Sequence, residues 1–509
     1  MAKDSARTAA EQTRAAVALS TEDSATASFA AAAVGEAVTA PGNKPGTGSG
    51  QKLKVRERLA YGVGDIGGNL VFAPISAFLL FYFTDTVGIG AAIAGTLLLF
   101  GRVLDGTMDL VLGSFIDRTS TRWGKARPWI LFSTPVVVIS FVLLFNVPSG
   151  LNETGKEIYA FIMYFLCLGV GFVGSNLAYH TLLSVITSNS RMRVSLTVIR
   201  TFFALFTTLV VQFITIPIIT SAGGGQQGWT LISIVYGAIA AITFLIVFFG
   251  TKERVKTSIR VADGDKLPFG KTVRILVKNP YFFLVFGFFL LNYLLTGTAG
   301  VGIYFASDVL GEANLYSFLG LISIAPLLVG MWFMPALIGR FGKRRLILIG
   351  VVIIIAGVLI SLIDPSNFTL VLTGGLVRAM GGIPAAAALF ALVADVVDYG
   401  EWKSGVRLDG MTYAAATAGQ NFGAGLGVAL VGWLLAAANY DGQAASQPAS
   451  AVNMEVFLFL WLPLIVAVLM GVIIFFLNID KNLSTIQRDL AARRAASETD
   501  ATPAARVEG

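Results

Sequence analysis

Twelve apolar runs, each near the roughly 20 residues a helix needs to cross a bilayer, limit what this chain can fold into. They fall at about 59–83, 88–116, 129–147, 158–187, 192–221, 229–250, 281–305, 315–339, 346–363, 368–398, 411–437 and 455–478. Only 13% of residues are charged, against about 25% in an average soluble domain. The pattern predicts an all-α membrane protein with twelve transmembrane helices. The loops at 117–128, 188–193, 251–280, 340–345 and 399–410 carry Lys and Arg, whereas those at 84–87, 148–157, 222–228, 306–314, 364–367 and 438–454 hold only Lys156. Basic loops stay on the cytoplasmic side. The alternation therefore predicts a multi-pass protein of the cell inner or plasma membrane with both termini in the cytoplasm. It also supports the count, because one missed span would scramble the sides. The net charge of +7 resides in these short loops and gives no footprint for nucleic acid.

Residues 1–50 are rich in Ala, Thr, Ser and Gly and lack the apolar core of a signal peptide, so a disordered cytoplasmic tail is expected. The charged stretch 251–280 divides the spans six and six, giving bundles over 51–250 and 281–478 and a cytoplasmic tail over 479–509. That tail opens on NLSTIQRDLAARR, a helical pattern that Ser484 or Thr485 would cap. It reads either as an amphipathic stub or as a partner-binding helix. The two halves echo each other. Gly113, Asp117, Arg118, Gly124, Lys125 and Arg127 follow the second span, and Gly339, Arg340, Gly342, Lys343, Arg344 and Arg345 follow the eighth. A motif repeated at the same place in two six-helix halves implies two pseudo-symmetric bundles in the major facilitator fold, with the substrate site at the midplane between them. Cys167 is the only cysteine and His180 the only histidine, so neither a disulfide nor a His-ligated metal site is expected, and no cofactor is implied.

Charge within an apolar helix is costly and marks ion or substrate paths. The second span carries Arg102, Asp105 and Asp109, and the two carboxylates share one face. Asp109 lies about 10 Å from Arg102 towards the cytoplasm. The set reads either as a structural ion pair or as a carboxylate pair for a coupling cation. Two nearby carboxylates raise each other's proton affinity, and Met108 offers no oxygen to a sodium ion. Asp65 and Asn69, four apart in YGVGDIGGN on the first span, read as a packing face or as a ligand contact through Asn69. The fourth span offers Asn176, Tyr179 and His180, an amide and an aromatic of the sort that pair with sugar hydroxyls and stack on a pyranose. The alternative is ordinary interhelical hydrogen bonding. Arg200 on the fifth span must pair with a carboxylate such as Asp105 or Asp109, or with a substrate oxygen. Arg378 on the tenth span either snorkels outward or faces the cavity, where it would suit an anionic substrate such as a uronide. Arg127, Arg191 and Arg193 in one half, and Asp395, Asp398, Glu401 and Arg407 in the other, read as a cytoplasmic gate of cross-half ion pairs or as solvated loop charges.

YGVGDIGGN, FTDTVGIGAAIAGTLLLFGRVLDGTMDLVLG, TRWGKARPW and ADVVDYGEWKSGVRLDG together resemble the glycoside–pentoside–hexuronide:cation symporters, and the likeness runs from Leu53 to Leu483. The resemblance implies sugar uptake driven by a sodium or proton gradient. It implies that Asp105 and Asp109 hold the cation, and that Asn69 and Asn176 stand where the melibiose-carrier branch has sugar-binding acids. Asn at both positions is more like the glucuronide-carrier branch. Arg200 matches the family's span-5 Arg. Met108 replaces a side-chain amide frequent in sodium users, which favours protons. Asn421, in AGQNFGAG, stands where many members have a Lys. The expected function is import of a pentoside, hexuronide or small oligosaccharide with H⁺ in preference to Na⁺, by a monomer. The alternatives are an exporter of another solute, a non-transporting sugar sensor, and a membrane enzyme. The last is disfavoured because no outer loop is long enough for a catalytic motif.

Overall fold

The computed structural model describes residues 53–187, 190–254, 275–406, 408–444, 446–479 and 483–500. The tail at 1–50, most of the middle segment 251–280 and the last residues of the chain, all named above, lie outside them.

The described residues form twelve helices long and apolar enough to cross a membrane. In hydrocarbon only a helix or a closed barrel satisfies every backbone polar group, so each apolar run has one available conformation. In chain order they are α1 (Val55–Val87), α2 (Ala91–Arg118), α3 (Arg127–Leu144), α4 (Glu153–Ile186), α5 (Ser190–Ser221), α6 (Gly225–Gly250), α7 (Pro280–Val309), α8 (Ala313–Gly330), α9 (Lys343–Leu362), α10 (Phe368–Ser404), α11 (Asp409–Ala437) and α12 (Ala449–Phe476). Helices α1–α6 form one half and α7–α12 the other. The described parts of the basic loops lie on one face of the bundle, called here the basic face; the opposite one is the far face.

Two expectations need correction. The eighth span was expected to run to 339, but α8 stops at Gly330 and a turn leads into a separate short helix, Met334–Phe341. Pro335 is the second residue of that helix. Proline fits there because its missing N–H would be unbonded anyway. The loop expected at 399–410 is shorter, because α10 continues to Ser404 and places Asp398 and Glu401 on helix.

The repeated motif does the same structural task in both halves. At the start of α3, Arg127 donates to the Phe248 carbonyl near the end of α6 and lies 4.8 Å from the Phe248 ring centre. At the start of α9, Arg344 donates to the Ile474 and Phe475 carbonyls near the end of α12 and lies 5.5 Å from the Phe475 ring centre. A cation at a helix C-terminus meets the last unbonded carbonyls and the negative end of the dipole. Glu253, just past α6, accepts from the Lys125, Ala126 and Arg127 backbone N–H groups at 2.8–3.0 Å and so caps α3.

The tail helix α13 (Leu483–Asp500) is docked on its own chain. It buries Ile486 and Leu490, Asp489 accepts from the Trp402 indole at 3.0 Å, and Arg493 donates to the Trp402 carbonyl.

Close helix approach carries much of the packing. A Cβ on Gly427 of α11 would stand 2.2 Å from the Leu294 carbonyl oxygen of α7, so the two backbones meet where only glycine fits. Gly427→Ala is expected to force them apart at a cost of about 1–3 kcal/mol, the usual range for overpacking. Thermal unfolding in detergent would show a lowered midpoint. Gly339→Ala, in open space on the short helix, should leave it unchanged or raise it.

Candidate functional site

The residues singled out in the membrane gather into two polar groups in the first half and a cavity in the second. The first group is built on Arg200 of α5. Its Nε donates to Asp65 Oδ2 of α1 at 2.8 Å, and its Nη2 lies 2.9 Å from His180 Nε2 of α4. Guanidinium can only donate, so His180 Nε2 accepts and the ring proton sits on Nδ1. Arg200 therefore pairs with Asp65, not with Asp105 or Asp109 as expected. The reason is that α1, α4 and α5 converge there. Asn69 donates to the Asp65 carbonyl at 2.8 Å and accepts from Thr208 at 3.3 Å. Tyr179 is not free to stack on a ligand in this conformation. It is 2% exposed, its ring stacks on Tyr61 at 4.7 Å, its hydroxyl donates to the Tyr61 carbonyl, and Arg200 covers its other neighbourhood at 5.2 Å. His180 is exposed, and Asn176, one turn earlier, is half-buried on the same helix.

The second group lies on α2. Arg102 donates to Ser76 of α1 at 3.1 Å and sits 4.8 Å from the Phe72 ring centre. Its Nη1 is 4.0 Å from Asp105 Oδ2. Asp105 Oδ1 is buried without a hydrogen-bond partner. Asp109, one turn on, is exposed. Asn421 of α11 comes up to Gly106: its Nδ2 is 3.9 Å from where a Cβ on that glycine would stand. Gly106, next to Asp105 in the chain, thus faces Asn421 at a contact between the halves, while Asp105 Oδ1 lies near Gly169 of α4, within the first half.

The cavity, of about 360 Å³, lies mainly among α7, α8, α10 and α12. Arg378 lines it and does not snorkel outward. Its Nη1 donates to the Phe459 carbonyl at 3.0 Å and its guanidinium lies 5.0 Å from the Phe459 ring centre. Phe457–Trp461 is wound as a π-helix, a disturbance of the ladder that admits side-chain donors. Gln212 of α5, Asn292 and Thr296 of α7 and Ser323 of α8 also line the cavity. Sequence reasoning passed over these four. The signal was a lone polar side chain inside an apolar span.

The gate reading changes more. Arg127 is held within its own half, as described above. Arg193 donates to the Thr187 and Ser184 carbonyls at the end of α4 and is likewise committed locally. Asp395 pairs with Lys343 within the second half. Asp398 and Glu401 lie on the last turns of α10. Arg407 and the Arg191 side chain lie outside the described residues.

On the far face the halves are joined directly. Tyr440 donates to Asp85 Oδ1 at 2.9 Å, Gln443 donates to the Asp85 carbonyl at 2.8 Å, the Thr84 and Tyr304 hydroxyls are 2.8 Å apart, and Thr220 donates to Asn314 at 3.2 Å.

A family described as MFS/sugar transport protein matches residues 60–481. The isoprimeverose transporter of Lactiplantibacillus pentosus is 33% identical over 449 residues, covering 86% of this chain and 92% of the relative. The glucuronide carrier protein homolog of Escherichia coli is 29% identical over 412 residues, 78% of this chain and 87% of the relative. Among solved structures, the nucleoside transporter NupG matches with a TM-score of 0.55 at 14% identity, over 85% of this chain and 99% of that one. The inward-open xylose transporter XylE from E. coli matches with a TM-score of 0.53 at 16% identity, over 81% and 94%. These likenesses show the fold.

Asp65 and Arg200 are both mostly buried. Removing one member strands a charge, at about 3–5 kcal/mol. Asp65→Asn should therefore destabilise more than Asp65→Asn combined with Arg200→Gln. Unfolding midpoints of the two single variants and the double variant close the cycle. Additive losses would mean that the pair is not what joins α1 to α5.

Proposed function

The chain belongs to the MFS/sugar transport protein family, and from that premise we propose that it imports a glycoside in symport with a cation, H⁺ in preference to Na⁺. The relatives and structural neighbours are transporters and not enzymes, and the chain is a glycoside transporter of that class. The observation that carries the coupling is Asp105. It is a carboxylate within α2, set against Arg102, with one oxygen buried and unpartnered. A group held this way is ready to take a proton or a cation. Asp109 one turn away gives an exposed second carboxylate on the same helix face. Met108 between them supplies no oxygen, which favours the proton.

The substrate side of the proposal rests on three features. Asn69, Asn176, His180 and Arg200 offer donors and acceptors in the first half, and Arg378 and Asn292 of the second half do so in the cavity, joined there by Gln212 of α5. The cavity volume falls within the range of small-molecule sites, about 300–1,000 Å³. Relatives named for isoprimeverose and for a glucuronide favour a pentose-containing disaccharide or a hexuronide, and a hexuronide carboxylate would find its counter-charge in Arg378.

In the proposed orientation the basic face is cytoplasmic, because Lys and Arg are retained on that side, and both termini follow it. The far-face contacts would then close the outside, as the inward-facing half of an alternating-access cycle requires. A monomer is sufficient for such a cycle.

The test is uptake by the full chain in proteoliposomes, with isoprimeverose and a glucuronide as probes, under an imposed pH gradient or an imposed sodium gradient. Accumulation driven by the pH gradient alone is expected. Asp105→Asn should abolish accumulation above equilibrium while leaving sugar counterflow. Full accumulation in that variant would remove Asp105 from the coupling site, and a requirement for sodium would overturn the proton.

A further inference from the structure

The far face holds a group of carboxyls that the sugar and coupling sites do not use. Asp85 is at the end of α1, Asp308 at the end of α7 and Glu455 near the start of α12. Glu455 is 0% exposed, no N–H or alcohol donates to either of its carboxyl oxygens, and the Asp308 carboxyl lies against it within hydrogen-bonding reach. Asp308 Oδ2 is likewise buried and receives no such donor. Asp308 and Asp85 are the ionisable groups that face Glu455, and Asp85 in turn faces Asp308 and Asp441.

The remaining groups around the cluster are phenols and one engaged cation. Tyr304 of α7 faces Asp85, Asp308 and Glu455 and bonds Thr84. Tyr440, in the loop after α11, donates to Asp85 Oδ1, and its phenol is held protonated, well above its ordinary range, by burial and by Asp85. Lys156, near the start of α4, gives its ammonium to the Val87 carbonyl at 2.9 Å.

Glu455 is fully buried and Asp85 and Asp308 are half-buried, and although Thr84 and Tyr440 each donate to Asp85, three carboxyls so placed cannot all carry charge cheaply. Each anion would lose its hydration and repel the other two. Protonation removes both costs at once. A metal ion would remove them too, but among the described residues no group of three or more His, Cys, Asp or Glu is placed to hold one. The cluster is also divided between the halves: Asp85 comes from the first and Asp308 and Glu455 from the second. Parting the halves would admit water to all three.

We propose that Asp85, Asp308 and Glu455 form a second proton-binding site, which latches the far face shut when loaded and empties when that face opens. The sign follows from linkage. The closed form binds more protons than the open form, so closure is favoured at low pH and lost as pH rises. The latch is independent of which solute is carried.

The test uses the full-length chain in detergent without sugar. Cys167 is buried, so spin labels go selectively to Glu153→Cys and Ser366→Cys, exposed positions on the far face of opposite halves. The distance distribution between them is read from about pH 5 to about pH 9, above the ordinary carboxyl range. In the otherwise native chain a longer-distance population should grow as pH rises. Its closed-to-open ratio should fall about tenfold per pH unit for each proton released. Glu455→Gln, uncharged throughout, should lower that slope by one proton and move the opening to higher pH, with Asp85 and Asp308 left to drive it. Should it fail to fold, as judged by size exclusion, Asp308→Asn makes the same test. A distance distribution that ignores pH, or a slope in the folded variant equal to the native one, would overturn the proposal. So would closure by added Na⁺ or Ca²⁺ at fixed pH in place of closure by protons.

Discussion

A charged side chain in hydrocarbon has no water to turn to, and the intramembrane charges of this bundle are placed where protein supplies what water would. Arg200 illustrates the rule most fully. It takes Asp65 from α1 and His180 from α4 and so ties three helices of the first half at one point. Arg102 does the same with less, using a hydroxyl, a phenyl face and a carboxylate 4.0 Å away. Arg378 uses a backbone carbonyl and a ring in a locally π-wound helix. These three arginines differ in how completely they are neutralised. Arg200 has a close carboxylate. Arg102 has a distant one, and Arg378 has only dipoles among its contacts described above. The supply of negative charge is therefore shortest around Arg378, in the cavity, and that is where an anionic ligand would gain most.

The internal repeat has a physical meaning beyond its sequence likeness. Each half closes its basic face by setting an arginine from the start of its third helix on the carbonyls that end its sixth: Arg127 on Phe248, and Arg344 on Ile474 and Phe475. The contact stays inside one half. It stiffens each bundle as a body and leaves the boundary between the bodies free to change. That division suits a protein whose two halves must move against each other.

Much of the fold was legible because its main signals are local. Apolar length fixes a span, and a repeated glycine-and-arginine motif fixes the halves. Asp105, Asp109 and Asn421 could be singled out as costly polar residues or as departures from a family pattern, and α2 does bring Gly106, beside Asp105, against Asn421. What sequence could not supply was partner choice across helices. Arg200 was matched to carboxylates of α2, but Asp65 wins because α1 and α5 pack together at that depth. Tyr179 was matched to a sugar ring, but Tyr61 already lies on its face. Arg127 and Arg193 were matched to acids of the other half, but helix-end carbonyls lay nearer. The break after Gly330 was written in Pro335, and the hydrophobic run on both sides hid it.

The α2–α11 contact connects these strands. Near the far face it is a backbone contact, since a Cβ on Gly432 would stand 2.4 Å from the Ala91 carbonyl. Further along, Gly425 packs on Arg102, where a Cβ would lie 3.0 Å from that side chain's Cβ. Further still, Gly106 meets only the Asn421 amide, at 3.9 Å, and one turn on Asp109 is exposed. The contact between halves therefore loosens progressively from the far face to the basic face, and Asp105 sits where it changes from tight to loose. A charge added to or removed from Asp105 acts on Arg102 first, through the pair within α2. Arg102 is also the side chain on which Gly425 of the other half rests. Neutralising the carboxylate leaves that guanidinium to Ser76 and Phe72 alone, both on α1. Under the coupling proposed above, protonation of Asp105 would leave Arg102 to its α1 contacts, and that would give a local electrostatic event a mechanical route to the boundary between the halves.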